Sequence, residues 1–415
     1  MAKRSAIVIG GGVIGVTSAY YLRRDEWEVT LVERAEICAG CSHGNAGMLV
    51  PSHLFPLAAP GVWWQGLKWM LEPESPFYIK PRLDPALVSW LWRFRAACQP
   101  DRARRAMPLL RSLSVASLDL YRELARIEGL EFAFHESGSM TVFRTPQAFE
   151  HGIQEARLAG EFGVAAKVLD GPAARAMEPA LRPDVAGGVY FPEDALLVPD
   201  RFVKGLARVG ATLGVQVRPG TEVLGFRTSG NRITGVETTR GPLAADLVVL
   251  AAGAWAPEVA RALRLRIPIQ PAKGYSLTYR RPANGPSIPL LPAEARFSIT
   301  PMGDLLRFGG TLELAGMDLS VSARRVEALR RSASGYIVDT ERLELLEIWR
   351  GLRPCTPDGL PLLGRSARLA NLIVAAGHAM VGMSLGPVTG KIVAQVASGT
   401  APLVDIALLD PQRFG

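Results

Sequence analysis

At 415 residues, 48% of them hydrophobic and 21% charged, the chain has enough apolar material for a substantial core, which excludes a disordered chain and predicts two intertwined lobes. The net charge of +8 raises nucleic acid or an anionic membrane as partners, but the arginines are scattered and no nucleic-acid motif occurs, so no nucleic acid is expected. Four cysteines make no disulfide framework and no signal peptide is evident, predicting a reducing cytoplasm; no apolar run approaches the ~20 residues of a membrane span, so any contact with the inner membrane is peripheral.

The apolar run Ala6-Ile7-Val8-Ile9 leads into Gly10-Gly11-Gly12-Val13-Ile14-Gly15, a helical pattern from Val16 to Arg24, and a second apolar run, Val29 to Val32, ending at Glu33. Strand, tight turn, helix and strand in this order make a dinucleotide-binding unit. Gly10 permits the sharp turn, Gly12 admits a pyrophosphate close to the backbone, Gly15 lets the helix lie close on the strand, and the helix N-terminus offers N–H groups to phosphate. Glu33 stands at the tip of the second strand, where its carboxylate can accept hydrogen bonds from a ribose. The small residues of Cys41-Ser42-His43-Gly44-Asn45-Ala46-Gly47-Met48 can run beside a flavin without filling its space, which favours FAD among the dinucleotides. Cys38 and Cys41 have CxxC spacing but no second ligand pair follows; ordinary buried thiols are expected, and no metal site.

Five of the eight tryptophans, Trp63, Trp64, Trp69, Trp90 and Trp92, crowd the segment 54–95 beside Leu54, Phe55, Met70, Leu71, Phe77 and Tyr78, with Lys68, Lys80, Arg82, Arg93 and Arg95 interleaved. Rings next to cations suit a membrane interface. A cap that lines a substrate pocket explains them equally well. Helical spacing follows over 106–127, with Arg104 and Arg105 ahead of it on a solvated face, then a strand over 137–143, a helix over 146–162 and a strand over 187–192, together the start of a second sheet. Pro199 and Asp200 open a helix to Leu213. Short strands over 215–217, 222–228 and 233–239 follow, the last two joined by the turn Ser229-Gly230-Asn231. Residues 246–253 read as a buried parallel strand, and 263–348 alternate proline-bounded segments with strands around a helix at 324–331. A last buried strand, 372–376, precedes a helix over 386–397 whose positive N-terminal end, if directed at a flavin pyrimidine, would stabilise the negative charge of the reduced ring.

Over nearly its whole length the chain resembles the D-amino-acid oxidase superfamily of FAD-dependent oxidoreductases, and within it the bacterial D-amino-acid dehydrogenases. The resemblance rests on Ile9 to Gly15, Ser42 to Met48, Lys273-Gly274-Tyr275-Ser276, Arg307-Phe308-Gly309-Gly310-Thr311, Trp349 to Pro354 with Thr356-Pro357-Asp358-Gly359, and Gly377-His378 onward. It implies an α/β fold in which a Rossmann-type FAD-binding domain (1–50, 199–262 and 349–415) interleaves with an α+β substrate domain on a mostly antiparallel sheet (51–198 and 263–348). It also implies an FAD site made by Gly10, Gly12, Val13, Ile14, Gly15, Glu33, Arg34, Cys41, Ser42, Asn45, Ala46, Gly47, Met48 and Leu49. Further on, Val223 lies near the adenine, and Ala252, Gly253, Trp255, Gly351, Gly377, His378, Met380, Val381, Gly382 and Met383 complete the set.

No Ser/His/Asp set or paired acids are evident, and oxidation of an amino acid by a flavin needs none: the neutral amine pushes electrons as the Cα hydrogen leaves, so positioning and electrostatics dominate. An arginine fork is the natural carboxylate clamp. By resemblance Arg353 is that clamp; Tyr275 offers a phenol to carboxylate or flavin, and Arg296 and Ser298 alternate on one strand face towards the pocket. Cys355 does not match the cysteine that holds flavin covalently in sarcosine-oxidase-type relatives. Two departures from the pattern stand out. Arg307 replaces the oxygen-activating lysine of those oxidases, pointing to a dehydrogenase that passes electrons to a quinone or carrier, and Met380 replaces a second arginine of glycine-oxidase-like members, suiting a larger or cyclic side chain. The expected activity is oxidative deamination of a D-amino acid, a small-molecule substrate, to an imino acid, then a 2-oxo acid and ammonia. The alternatives are a D-proline or cis-4-hydroxy-D-proline dehydrogenase and a non-catalytic FAD-binding subunit of a complex.

Overall fold

A computed structural model describes residues 4–59, 61–69, 75 and 77–414, without the side chains of 65 and 67–69. Met70, Leu71 and the side chains of Lys68 and Trp69 thus lie outside the described residues. The first unit forms as its pattern requires: strand Ser5–Ile9, helix Val13–Arg24 and strand Glu28–Val32, the two strands pairing in parallel from Ser5 opposite Glu28 to Ile9 opposite Val32. They lie in a six-stranded sheet ordered Leu362–Arg365, Leu372–Ala376, Leu247–Leu250, Ser5–Ile9, Glu28–Val32, Gln216–Arg218; only the first pair is antiparallel.

Its apolar runs are continuous because both faces are covered. Ala6 and Val8 join a core with helices Val13–Arg24, Pro100–Leu124, Pro199–Thr212 and Gly386–Ser398, while Ile7 and Ile9 join a second core under helix Ala256–Arg261 and hairpin Val223–Ser229/Arg232–Thr238. Helix Pro100–Leu124 starts ahead of its predicted first turn, because Pro100 is tolerated where the amide has no helical partner anyway; Arg104 and Arg105 therefore lie inside it.

The second sheet has nine strands among the described residues, mostly antiparallel, ordered Leu345–Cys355, Gln270–Arg280, Leu305–Leu314, Ser298–Met302, Leu290–Pro292, Ser139–Phe143, Gly187–Phe191, Lys167–Asp170, with Phe77–Ile79 beside Leu305–Leu314. Alternation gives its long strands two distinct faces. Leu277, Tyr279, Ile299, Leu306 and Phe308 pack into a core with Leu329 of helix Ala323–Ala333. The other face, carrying Gly274, Thr278, Ser298, Arg307 and Gly309, meets the loop that follows strand Glu28–Val32.

Candidate active site

A cleft of about 540 Å³ runs from the end of strand Glu28–Val32 to the loop before helix Gly386–Ser398. That volume suits a buried organic cofactor. At one end Gly10 has φ +114° and turns the chain sharply, and a Cβ on Gly15 would overlap the Gly10 carbonyl oxygen, so helix and strand touch through bare backbone. Helix Val13–Arg24 has no side-chain cap and no acid in its first turn, which leaves its N-terminal end positive and fit for phosphate. The Ser42 hydroxyl accepts from the Val13 amide at 3.0 Å and draws the following loop onto this turn. The Glu33 carboxylate accepts from the amides of Gly11 at 2.7 Å and Ala35 at 2.9 Å, so the predicted ribose acceptor also holds the glycine turn in place.

The cleft walls bring together Gly10, Gly12, Val13, Ile14, Glu33, Arg34, Cys41, Ser42, Asn45, Val223, Ala252, Gly253, Trp255, Gly351, Gly377, His378, Gly382 and Met383. Arg34 stacks over Trp255, its guanidinium carbon 4.2 Å from the ring centre. Gly15, Ala46, Gly47, Met48 and Leu49 support the wall from behind: Ala46 lies 3.7 Å from a Cβ built on Gly309, and Met48 and Leu49 pair with Leu196 and Ala195. Met380 and Val381 instead line a separate small cavity with His53, Phe55 and Leu57; it meets the cleft at Ala379. His378 is buried, its Nε2 3.0 Å from the Thr389 hydroxyl, and burial pushes its imidazole down to about 3, so it stays neutral at physiological pH.

Arg353 lies half-buried across bare Gly274, where any side chain would overlap its guanidinium, and donates from Nη1 to the Thr311 carbonyl at 2.7 Å and from Nη2 to the Gly310 carbonyl at 3.3 Å. Its neighbours Gly351, Leu352 and Pro354 line the cleft, as does Cys41, whose thiol is pushed up by burial and partly relieved by the Arg353 charge. Ser298 is on the same sheet face, its hydroxyl donating to the Gly309 carbonyl at 3.2 Å.

Two expected site residues depart from the strand alternation read in the sequence. Tyr275 belongs to the opposite face: fully buried, it pairs with Gly310 across the sheet, its ring lies 5.9 Å from the Lys273 ammonium and its hydroxyl accepts from the Ser322 amide at 3.2 Å. Arg296 is not in a strand. Its amide donates to the Pro292 carbonyl, closing a turn that gives it a left-handed φ of +53°, and strand Ser298–Met302 begins only after it. Arg307 is buried and fully engaged, with donors on the Thr278 hydroxyl and on the His43 and Asn45 carbonyls. Cys355 is buried and burial pushes its thiol up to about 12, while its carbonyl takes the Trp90 indole N–H at 2.9 Å.

Trp349, Glu347 and His43 were not singled out from the sequence, although Trp349 and His43 sit within the motifs. The Trp349 indole leaves no room for a side chain on Gly44 or Gly351, and those two glycines were the legible signal. Among the described residues no group of acids, histidines and cysteines is placed to hold a metal, and no helix is long and apolar enough to cross a membrane.

A family model described as FAD dependent oxidoreductase matches residues 5–396. The D-amino acid dehydrogenase of Methylobacterium radiotolerans is 36% identical, over 97% of this chain and 98% of its own length, and that of Granulibacter bethesdensis is 33% identical, over 98% and 99%. Among solved structures, glycine oxidase from Geobacillus kaustophilus superposes with a TM-score of 0.81 at 26% identity, covering 100% of this chain and 99% of that one.

Proposed function

This chain belongs to the family of FAD-dependent oxidoreductases, and on that footing we propose that it is a dehydrogenase of D-amino acids. The observation that carries the reading is Arg353, its plane fixed by two backbone carbonyls, on the strand whose Gly351, Leu352 and Pro354 line the dinucleotide cleft. A guanidinium has five N–H donors, and those two bonds leave the rest of the fork for a carboxylate. FAD, when bound, supplies the acceptor for the Cα hydrogen. The residues of this chain do the positioning. Arg353 grips the acid group, Ser298 and the Asn45–Gly47 backbone bound the space beside it, and neutral His378 adds no charge that would oppose an amine.

Loss of a hydride from Cα and a proton from the amine gives an imino acid, and water converts it to a 2-oxo acid and ammonia. The pair of electrons then passes to a quinone or carrier; Arg307, spent on backbone carbonyls, presents no free cation for activating oxygen. Met380, next to the Ala379 shared by the cleft and the small cavity, brings no second charge to that end, which favours an apolar or cyclic side chain such as that of D-proline. The exposed Trp64, Leu83, Val88 and Trp92, on and between two short helices that pack together through Trp63, Leu87 and Trp90, support a peripheral membrane contact.

The test is a panel of D- and L-amino acids with D-proline, assayed with a dye acceptor and with oxygen. Dye reduction by D-forms well above L-forms is expected, with oxygen a poor acceptor. Yellow holoprotein that no member of the panel bleaches would favour the non-catalytic subunit and end this reading.

A further inference from the structure

The residues that hold the cofactor loop to the second sheet form a closed ring. Arg307 donates from Nε to the Thr278 hydroxyl at 3.1 Å and from Nη1 to the carbonyls of His43 at 2.8 Å and Asn45 at 3.0 Å. Its Nη2 lies 3.8 Å from Glu347 Oε2, and Glu347 Oε1 lies 3.0 Å from His43 Nε2, which returns the ring to the loop where it began. Thr278 also reaches Glu347 Oε2 at 3.5 Å, so a single hydroxyl touches both charged partners.

A buried guanidinium is costly unless its donors are met and a counter-charge is near, and one whose donors go to backbone carbonyls fixes the course of that backbone. Here the fixed backbone is the cleft wall. Asn45 lines the cleft and its side-chain oxygen accepts from the Gly47 amide at 2.8 Å, while at the other end Ser42 is held to the first turn of the nucleotide helix at 3.0 Å. Between them Gly44 has no room beyond the Trp349 ring. The Ser42–Gly47 segment is thus gripped at both ends, by the phosphate turn and by the Arg307–Glu347 pair.

We propose that Arg307 and Glu347 are positioning residues for FAD: through His43 and Asn45 they set where the Ser42–Gly47 backbone meets the cofactor, and they act on its binding and on the electronic state of the flavin, not on the amino-acid carboxylate. This rests on FAD as the cofactor and is independent of which amine is oxidised.

The experiment compares wild type, Glu347→Ala, Glu347→Gln and Arg307→Lys. Each holoprotein is stripped of FAD and titrated back with flavin fluorescence as the readout; the absorption spectrum of the bound flavin, the melting midpoint of the apoprotein and the KM for the best amino acid are also recorded. Glu347→Ala should weaken FAD by roughly tenfold and shift the long-wavelength flavin band, with KM unchanged. Glu347→Gln, which keeps one oxygen acceptor and one N–H donor at the positions facing His43 and Thr278, should recover most of the affinity, and Arg307→Lys, which cannot span both carbonyls and Thr278, should not. FAD affinity and spectrum equal to wild type in Glu347→Ala, whether or not the apoprotein melts earlier, would overturn the proposal, as would a rise in KM without loss of FAD. Wild-type protein that binds FAD but is not reduced by any amino acid defeats the dehydrogenase reading alone, since the affinity series still decides this one.

Discussion

Replacing Gly10 with alanine tests the nucleotide cradle at its tightest point. Gly10 sits at φ +114°, its amide bonded to the Val32 carbonyl at 2.9 Å, and a Cβ there would stand 2.5 Å from the Ala251 carbonyl oxygen, 2.9 Å from the Ala251 carbonyl carbon and 3.1 Å from Ala252 Cα. All three atoms are backbone just beyond the neighbouring parallel strand, so no side chain can swing aside. Two costs add: about 1–3 kcal/mol for a side chain in this region of φ, and about 1–3 kcal/mol for the overlap. Gly241, at φ +95° with nothing within 4 Å of its Cβ position, isolates the first cost. Urea unfolding of each apoprotein and FAD titration of each variant measure where the strain falls. Gly10→Ala should lose about 1–3 kcal/mol more than Gly241→Ala, as lower apoprotein stability, as roughly 5- to 150-fold weaker FAD binding, or divided between them. If the two variants match in both measurements, the cradle is not as tight as described and the reasoning fails.

Asp194 is buried and accepts from the Ser52 amide and hydroxyl and the Ser139 hydroxyl, yet burial pushes its carboxyl up to about 6 from 3.8. The folded value lies above the unfolded one, so its stabilising contribution of about 3 kcal/mol is complete below pH ~4 and disappears as pH rises through 6. Asp194→Asn should remove that slope from urea midpoints taken between pH 4 and 7. His378 has the opposite sign: its folded value, about 3, lies below 6.5, so its contribution of about 5 kcal/mol is present above pH 6.5 and is lost on acidification. His378→Asn should lessen acid unfolding between those limits, measured by the same midpoints. Replacing both Trp64, 68% exposed, and Trp92, 70% exposed, with serine should leave the melting midpoint unchanged and weaken sedimentation with anionic vesicles at least fivefold if that face meets a membrane.

The nucleotide cradle was legible because its signals are local: the Gly10–Gly15 turn, the flanking apolar runs and the acid at Glu33 all fall within one strand–helix–strand unit. The same holds for hairpin Val223–Ser229/Arg232–Thr238, whose Gly230 supplies the positive φ its turn needs. Tyr275 shows the limit. Alternation states that neighbouring residues of a strand face opposite ways, but which face meets the cleft is decided by pairing with Leu305–Leu314, far along the chain. The strand placement of Arg296 fails because the bond from its amide to Pro292 closes a turn before the strand begins, and alternation read through that turn has no meaning. The His43–Glu347 contact joins positions 304 residues apart, and nothing in either local sequence announces the other.

Whether Arg353 anchors the acid group of the substrate beside bound FAD is decided by mixing holoprotein anaerobically with the preferred D-amino acid and following loss of the oxidised flavin band in wild type and Arg353→Met. Equal FAD content is expected in the two proteins, with full bleaching of the wild type and, in the variant, a substrate half-saturation for bleaching raised about 30-fold or more, the loss of a charge-assisted fork worth about 2–3 kcal/mol. Bleaching of Arg353→Met at wild-type substrate concentrations, with FAD bound normally, would contradict it.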